Sequence, residues 1–113
     1  MPDVAVTWEE ALTLALGLGP LEVEIYRILM SKGPTRAGAI CETLDREMST
    51  VHRSLHKAMG AGVILREKKT YRRGGYYFVY DAVEREKVSR RAKEAIGVWQ
   101  KGALGALEKF AKG

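Results

Sequence analysis

The chain has a single cysteine, three prolines and no long apolar run. Cys41, being alone, cannot close an internal disulfide, and on the inward face of a helix it reads as a small buried thiol. The only sizeable apolar stretch, Ala11 to Leu18, falls well short of the roughly 20 residues a membrane helix needs. Asp3, Glu9 and Glu10 precede that stretch, which is the wrong charge for a signal peptide, so a cytoplasmic protein without membrane attachment is expected. Catalytic patterns are missing too. There is no Gly-x-Ser-x-Gly, no carboxylate pair beside a metal pattern and no nucleophile with an evident base, and the chain is not expected to be an enzyme. Only two histidines are present. His52 and His56 stand at i and i+4, a spacing that chelates metals, but no Glu follows His52 and no third ligand is near in sequence. No metal or cofactor is expected. Neither Gly17-Leu18-Gly19 nor Gly60-Ala61-Gly62 extends to a phosphate cradle, and both read as helix stops.

Repeats, low-complexity segments and flexible linkers are also absent, and 113 residues suit one domain over 1–113 with a modest core. What is abundant is positive charge in one place. The net charge is +5. Between Asp45 and Arg73 stand Arg46, Arg53, Lys57, Arg66, Lys68, Lys69, Arg72 and Arg73 against only Asp45, Glu47 and Glu67. A polyanionic partner fits such a block.

The apolar periodicity predicts a helix from a Thr7 cap through Leu16, with Trp8, Leu12, Ala15 and Leu16 on one face and Gly17 as terminator. A second helix starts near Pro20 and runs to about Ser31, burying Leu21, Ile25, Ile28 and Leu29. Thr35 is placed to cap a short third helix, Arg36 to Leu44, whose Ala37, Ile40, Cys41 and Leu44 share a face. After a turn at Asp45-Arg46 a fourth helix spans about 47–60. Two short helices across so tight a turn form a helix-turn-helix unit. Val63-Ile64-Leu65 and Tyr76 to Tyr80 read as two strands, with Gly74-Gly75 supplying the turn of a basic hairpin at 66–76. From about Val83 to Lys112 runs one long helix. The fold class is therefore α+β, mostly α: a winged helix-turn-helix core over 18–82, a two-stranded β-wing and a C-terminal helix over 83–113.

On the fourth helix, Met48, Val51, Leu55, Ala58 and Met59 fall within an arc of about 100°, the width of a core-facing stripe. The other side carries Arg46, Ser49, Arg53, His56 and Lys57, flanked by Thr50 and His52, and none of these is acidic. Arginine reads guanine in the major groove with two parallel bonds, so Arg53 is the candidate for a base edge. Ser49 and Thr50, in the first turn, are candidates for anchoring phosphate. Lys68, Lys69, Arg72 and Arg73 concentrate charge on a hairpin suited to the minor groove or backbone, with Thr35 and Arg36 as further candidate contacts. Singly, an amphipathic helix and a charged edge strand are ordinary surfaces. Their order along the chain points to double-stranded DNA.

Thr50-Val51-His52-Arg53-Ser54-Leu55, followed by Met59, Gly62 and Val63-Ile64, resembles the signature of MarR-like and TrmB-like winged-helix transcriptional regulators. Leu18 to Tyr26 is similar to the opening of archaeal TrmB-type domains, and Tyr76 to Val83 resembles the strand that leads from their wing to the last helix. The resemblance implies a dimeric DNA-binding repressor or activator. Many members respond to small ligands; a small-molecule effector stays open here without being indicated, and because this sequence does not include the long sugar-binding domain of full-length TrmB proteins, sugar sensing is not expected. Asp45-Arg46-Glu47 stands where relatives often have Gly-x-Ser.

Val88, Ala92, Ile96, Trp99, Ala103, Leu107 and Phe110 recur every three to four residues along the last helix, a stripe longer than so small a domain easily covers. A homodimer is expected in which this stripe, with Trp8 and Leu12 of the first helix, faces a second copy. Gly97, Gly102 and Gly105 fit either close helix approach or a fraying end. The alternative reading of the whole chain is a protein-interaction scaffold that binds no specific DNA, for which the exposed helix face should be apolar or acidic.

Overall fold

A computed structural model describes residues 4–113, and so leaves residues 1–3 of the domain expected over 1–113 outside the described residues. Five helices and one hairpin follow in order: α1 (Trp8–Leu16), α2 (Pro20–Lys32), α3 (Ala37–Leu44), α4 (Met48–Gly60), β1 (Ile64–Thr70), β2 (Tyr76–Ala82) and α5 (Arg85–Ala111).

Local chemistry sets these boundaries. Thr7 caps α1, its hydroxyl accepting from the Glu10 N–H at 3.1 Å, and Gly17 closes the helix in the left-handed region at φ 70. Proline opens α2 where its missing N–H costs nothing. The turn between α3 and α4 is three residues, 45–47. Asp45 adopts φ 52 there, doing without glycine what the turn requires, and it is the only non-glycine residue with positive φ among the described residues.

One expectation fails at α3. Thr35 does not cap it; Arg36 holds that position, with no side-chain cap bond. Instead Thr35 pairs with Tyr80 in a short antiparallel bridge, and its hydroxyl donates to the Gly33 carbonyl at 2.8 Å. The bridge satisfies backbone groups on the open edge of β2, which wins over the cap.

The two strands are antiparallel, Ile64 opposite Ala82 and Thr70 opposite Tyr76. Gly74 and Gly75 take φ 96 and 83 at the tip, values only glycine adopts without strain. At the base of the ribbon Ile64 and Tyr80 enter the core, while the distal half stands clear of it.

A single cluster fills the interior: Leu18, Ile25, Leu29, Ile40, Val51, Leu55 and Val63 are its most buried aliphatic side chains. α4 packs on α2, α3 and β1, and α1 packs on α2 and α5. α5 leaves the core partway along its length. Its 27 residues span about 40 Å, and the molecule measures 68 × 26 × 26 Å as a result.

Candidate nucleic-acid interface

α4 turns Val51, Ser54, Leu55 and Ala58 inward and leaves Ser49, Arg53, His56 and Lys57 exposed, with Thr50 and His52 half-buried at the flanks. Met48, assigned to the inner stripe, is 46% exposed. It sits at the first position of the helix, beyond the edge of the core, where its sulfur lies 3.7 Å from Cys41 Sγ. Cys41 itself is half-buried.

Lys57 differs from its neighbours. Its ammonium lies 3.2 Å from Glu22 Oε1, a carboxylate whose side chain is only 8% exposed. The same oxygen accepts the Gly19 N–H at 2.8 Å, and the Ser54 hydroxyl adds a further bond. Burial by itself would raise the Glu22 pKa, but the bonds from Ser54, Gly19 and Lys57 outweigh it and hold the carboxyl below its ordinary value of 4.5. α4 is thereby fastened to the start of α2. A Cβ at Gly19 would stand 2.8 Å from Glu22 Oε1, so a larger residue there would push the carboxylate end aside. Sequence reasoning passed over Glu22 and Ser54, although Glu22 three residues after a helix-opening Gly19 was a visible capping signal.

Arg36 is the second departure. Its guanidinium lies 4.4 Å from the Tyr77 ring centroid and 6.0 Å from that of Tyr71, and the two tyrosine rings lie 4.7 Å apart, tilted by 43°. The residue before α3 thus grips the wing by cation–π contact. On the other face of the ribbon Arg66 lies over Phe78 and Lys68 over Tyr76, each at 4.2 Å. These aromatics hold the cationic stems along the ribbon. Lys69 pairs with Glu67 at 3.1 Å on the surface, a contact worth little. Arg46, Arg72 and Arg73 are exposed.

A third tether reaches the far end of α4. Arg91 of α5 donates from Nη1 to the Gly62 carbonyl at 2.7 Å. Gly62 has φ 77, and a Cβ there would lie 1.6 Å from that nitrogen.

Of the residues expected to face a second copy, Leu12, Val88 and Ala92 are buried within the chain's own core, because α1 lies directly over the base of α5. Trp8 is 44% exposed and packs edge-on to Tyr26. Ile96, Trp99, Leu107 and Phe110 are uncovered, and Ala103 is half-buried. Nothing lies within 4 Å of a Cβ placed at Gly97, Gly102 or Gly105, so packing within the chain does not account for these glycines.

Among the described residues no three His, Cys, Asp or Glu side chains gather to hold a metal ion, and no helix is long and apolar enough to cross a membrane.

Residues 12–86, from α1 to the first turn of α5, match the family described as sugar-specific transcriptional regulator TrmB. The chain belongs to the TrmB family. That family is one of transcriptional regulators, not of enzymes. Two uncharacterized proteins of Methanocaldococcus jannaschii resemble this TrmB-family chain. MJ1503 is 29% identical over 98 residues, covering 87% of this chain and 74% of its own length. MJ1082 is 31% identical over 93 residues, covering 82% and 77%. Among solved structures, a possible transcriptional regulator from Methanosarcina mazei Go1 matches with a TM-score of 0.81 at 19% identity, over 96% of this chain and 95% of that one. At that identity the likeness is one of fold, a winged helix with a long terminal helix.

Proposed function

We propose that this TrmB-family regulator acts as a homodimer that binds double-stranded DNA, α4 entering the major groove and the wing lying along the minor groove or backbone. The observation that carries the reading is the exposed arc of α4, which presents Ser49, Arg53 and His56 with no acidic side chain among them. Arg53 reads a base edge. Ser49 and Thr50 anchor phosphate at the helix start, and Arg46, Lys68, Lys69, Arg72 and Arg73 neutralise the backbone. Lys57 acts differently from the other cations, since the nearly buried Glu22 carboxylate already pairs with it, while Arg36, held against Tyr77, contacts the backbone together with the wing it grips. Residues 18–82 form the winged-helix core and 83–113 the dimerisation helix. A dimer presents two α4 helices to half-sites about 10 base pairs apart or a multiple of that.

A gel-shift titration against genomic fragments at physiological salt tests this. Specific shifts with a shared palindrome among the bound fragments are expected. No shift at micromolar protein would reject the reading and leave the fold as a protein-interaction scaffold.

A further inference from the structure

One face of α5 is covered at its base and bare beyond it. Val88 and Ala92 pack in the core, whereas Ile96, Trp99, Leu107 and Phe110 further along are 42, 74, 61 and 82% exposed. At 3.6 residues per turn these four lie within about 40° of the direction of Ala103, so all five share one narrow seam. Val98 and Leu104 fall outside it.

The spacing along the seam from Ile96 to Phe110 is 3, 4, 4, 3, centred on Ala103. It averages 3.5 residues, the repeat of two helices wound left-handed about each other. It also reads the same in both directions. A two-fold antiparallel pair sets every seam residue opposite another seam residue when the seam superposes on its own reverse, and this one does so with the axis at Ala103. Ile96 then meets the second copy's Phe110, Trp99 meets Leu107, and Ala103 meets its own counterpart. The flanks of the seam are Ala95, Gln100, Ala106 and Ala111, small or neutral side chains that let the helices approach closely.

An open apolar cleft of about 420 Å³ lies between α1, α2 and α5, running along α5 from Arg85 to Ile96, with Trp8, Leu12, Tyr26 and Ala92 in its lining and Ile96 at its outer end. In a parallel, in-register pair the large apolar side chains at the tip of the second helix would sit about 21 Å from this cleft, fourteen residues along α5. In the antiparallel pair Phe110 arrives beside it.

Resting on the dimeric reading above, we propose that the partner of α5 is the α5 of a second copy, antiparallel about Ala103, and that each copy's Phe110 closes the α1–α5 cleft of the other. The cleft is incomplete in one chain. α1 covers the seam as far as Ala92, and the second copy covers it from Ile96 onward.

Disulfide trapping in the full chain, with Cys41→Ser as background, tests the register. Ala103→Cys should link to itself. Ile96→Cys and Phe110→Cys should each fail to self-link but should link to one another when the two variants are refolded together. Phe110→Ala should weaken the dimer on the order of tenfold or more in sedimentation equilibrium, with the helical circular dichroism of the domain retained. Self-linking of Ile96→Cys in a protein that remains dimeric would overturn the antiparallel register alone. A wild-type monomer at tens of micromolar would overturn the register together with the dimeric reading.

Discussion

The Lys57 ammonium lies 3.2 Å from the nearly buried Glu22 carboxylate, so a cation on α4 reaches toward α2 while its side chain stays 56% exposed. A buried carboxylate without such partners would be costly, and with them it fixes where α4 sits relative to α2. The position of the candidate DNA-reading surface thus depends on a charge that lies beneath it.

Acid should loosen this arrangement. The folded pKa of Glu22 lies below that of the unfolded chain, so its ionised form stabilises the fold above the ordinary value of 4.5, and that contribution is lost as the pH falls through the folded value. Glu22→Gln should cost about 1–3 kcal/mol near neutral pH, because charged bonds become neutral ones. It should also flatten the fall of the thermal midpoint below pH 4.5. An equally steep acid decline in Glu22→Gln would show that other carboxylates govern it.

Salt should separate the cations on DNA. Under the proposed binding mode Lys68→Ala or Arg73→Ala should each lower the slope of log affinity against log salt by about 0.9. Lys57→Met should lose stability and leave the slope unchanged, since its charge is already paired with Glu22. A slope reduced as much by Lys57→Met as by Lys68→Ala would place Lys57 on phosphate.

Arg53→Ala should cost roughly 1–3 kcal/mol on the selected site and little on random DNA. Fluorescence anisotropy with both duplexes measures the difference. Equal losses on the two would assign Arg53 to the backbone, leaving Ser49 or His56 to read bases.

Gly62→Ala should destabilise by about 1–2 kcal/mol through its left-handed backbone, and further by displacing Arg91 Nη1, which a Cβ would approach to 1.6 Å. In an Arg91→Ala background only the backbone cost remains. A double-mutant cycle by urea unfolding should therefore show coupling between the two positions, and strict additivity would dismiss the contact.

The helices were legible because their caps, stops and apolar periods are local. Thr7 and Gly17 bound α1, Pro20 opens α2, and Gly74-Gly75 turns the ribbon. Thr35 was misread since a threonine before a helix is an equally good cap or strand partner, and only the arrival of Tyr80 from 45 residues away decides between them. Met48 was misread since periodicity assigns it a direction but not whether the core extends that far.

The cations divide in the same manner. Composition alone placed a basic block between Asp45 and Arg73 and, with the order of elements, determined a winged helix whose fourth helix lacks acidic residues on its outer face. Which of those charges are free for a partner was decided by the tertiary structure. Within the block Glu22 engages Lys57, and before it Tyr77 holds Arg36; both pairings join elements distant in the chain. The stripe on α5 shows the same limit: the sequence set its seven positions, but only the fold, by laying α1 over Val88 and Ala92, separated the part that belongs to the core from the part left bare. Local spacing determines which face of a helix is apolar, and packing in three dimensions determines what covers it.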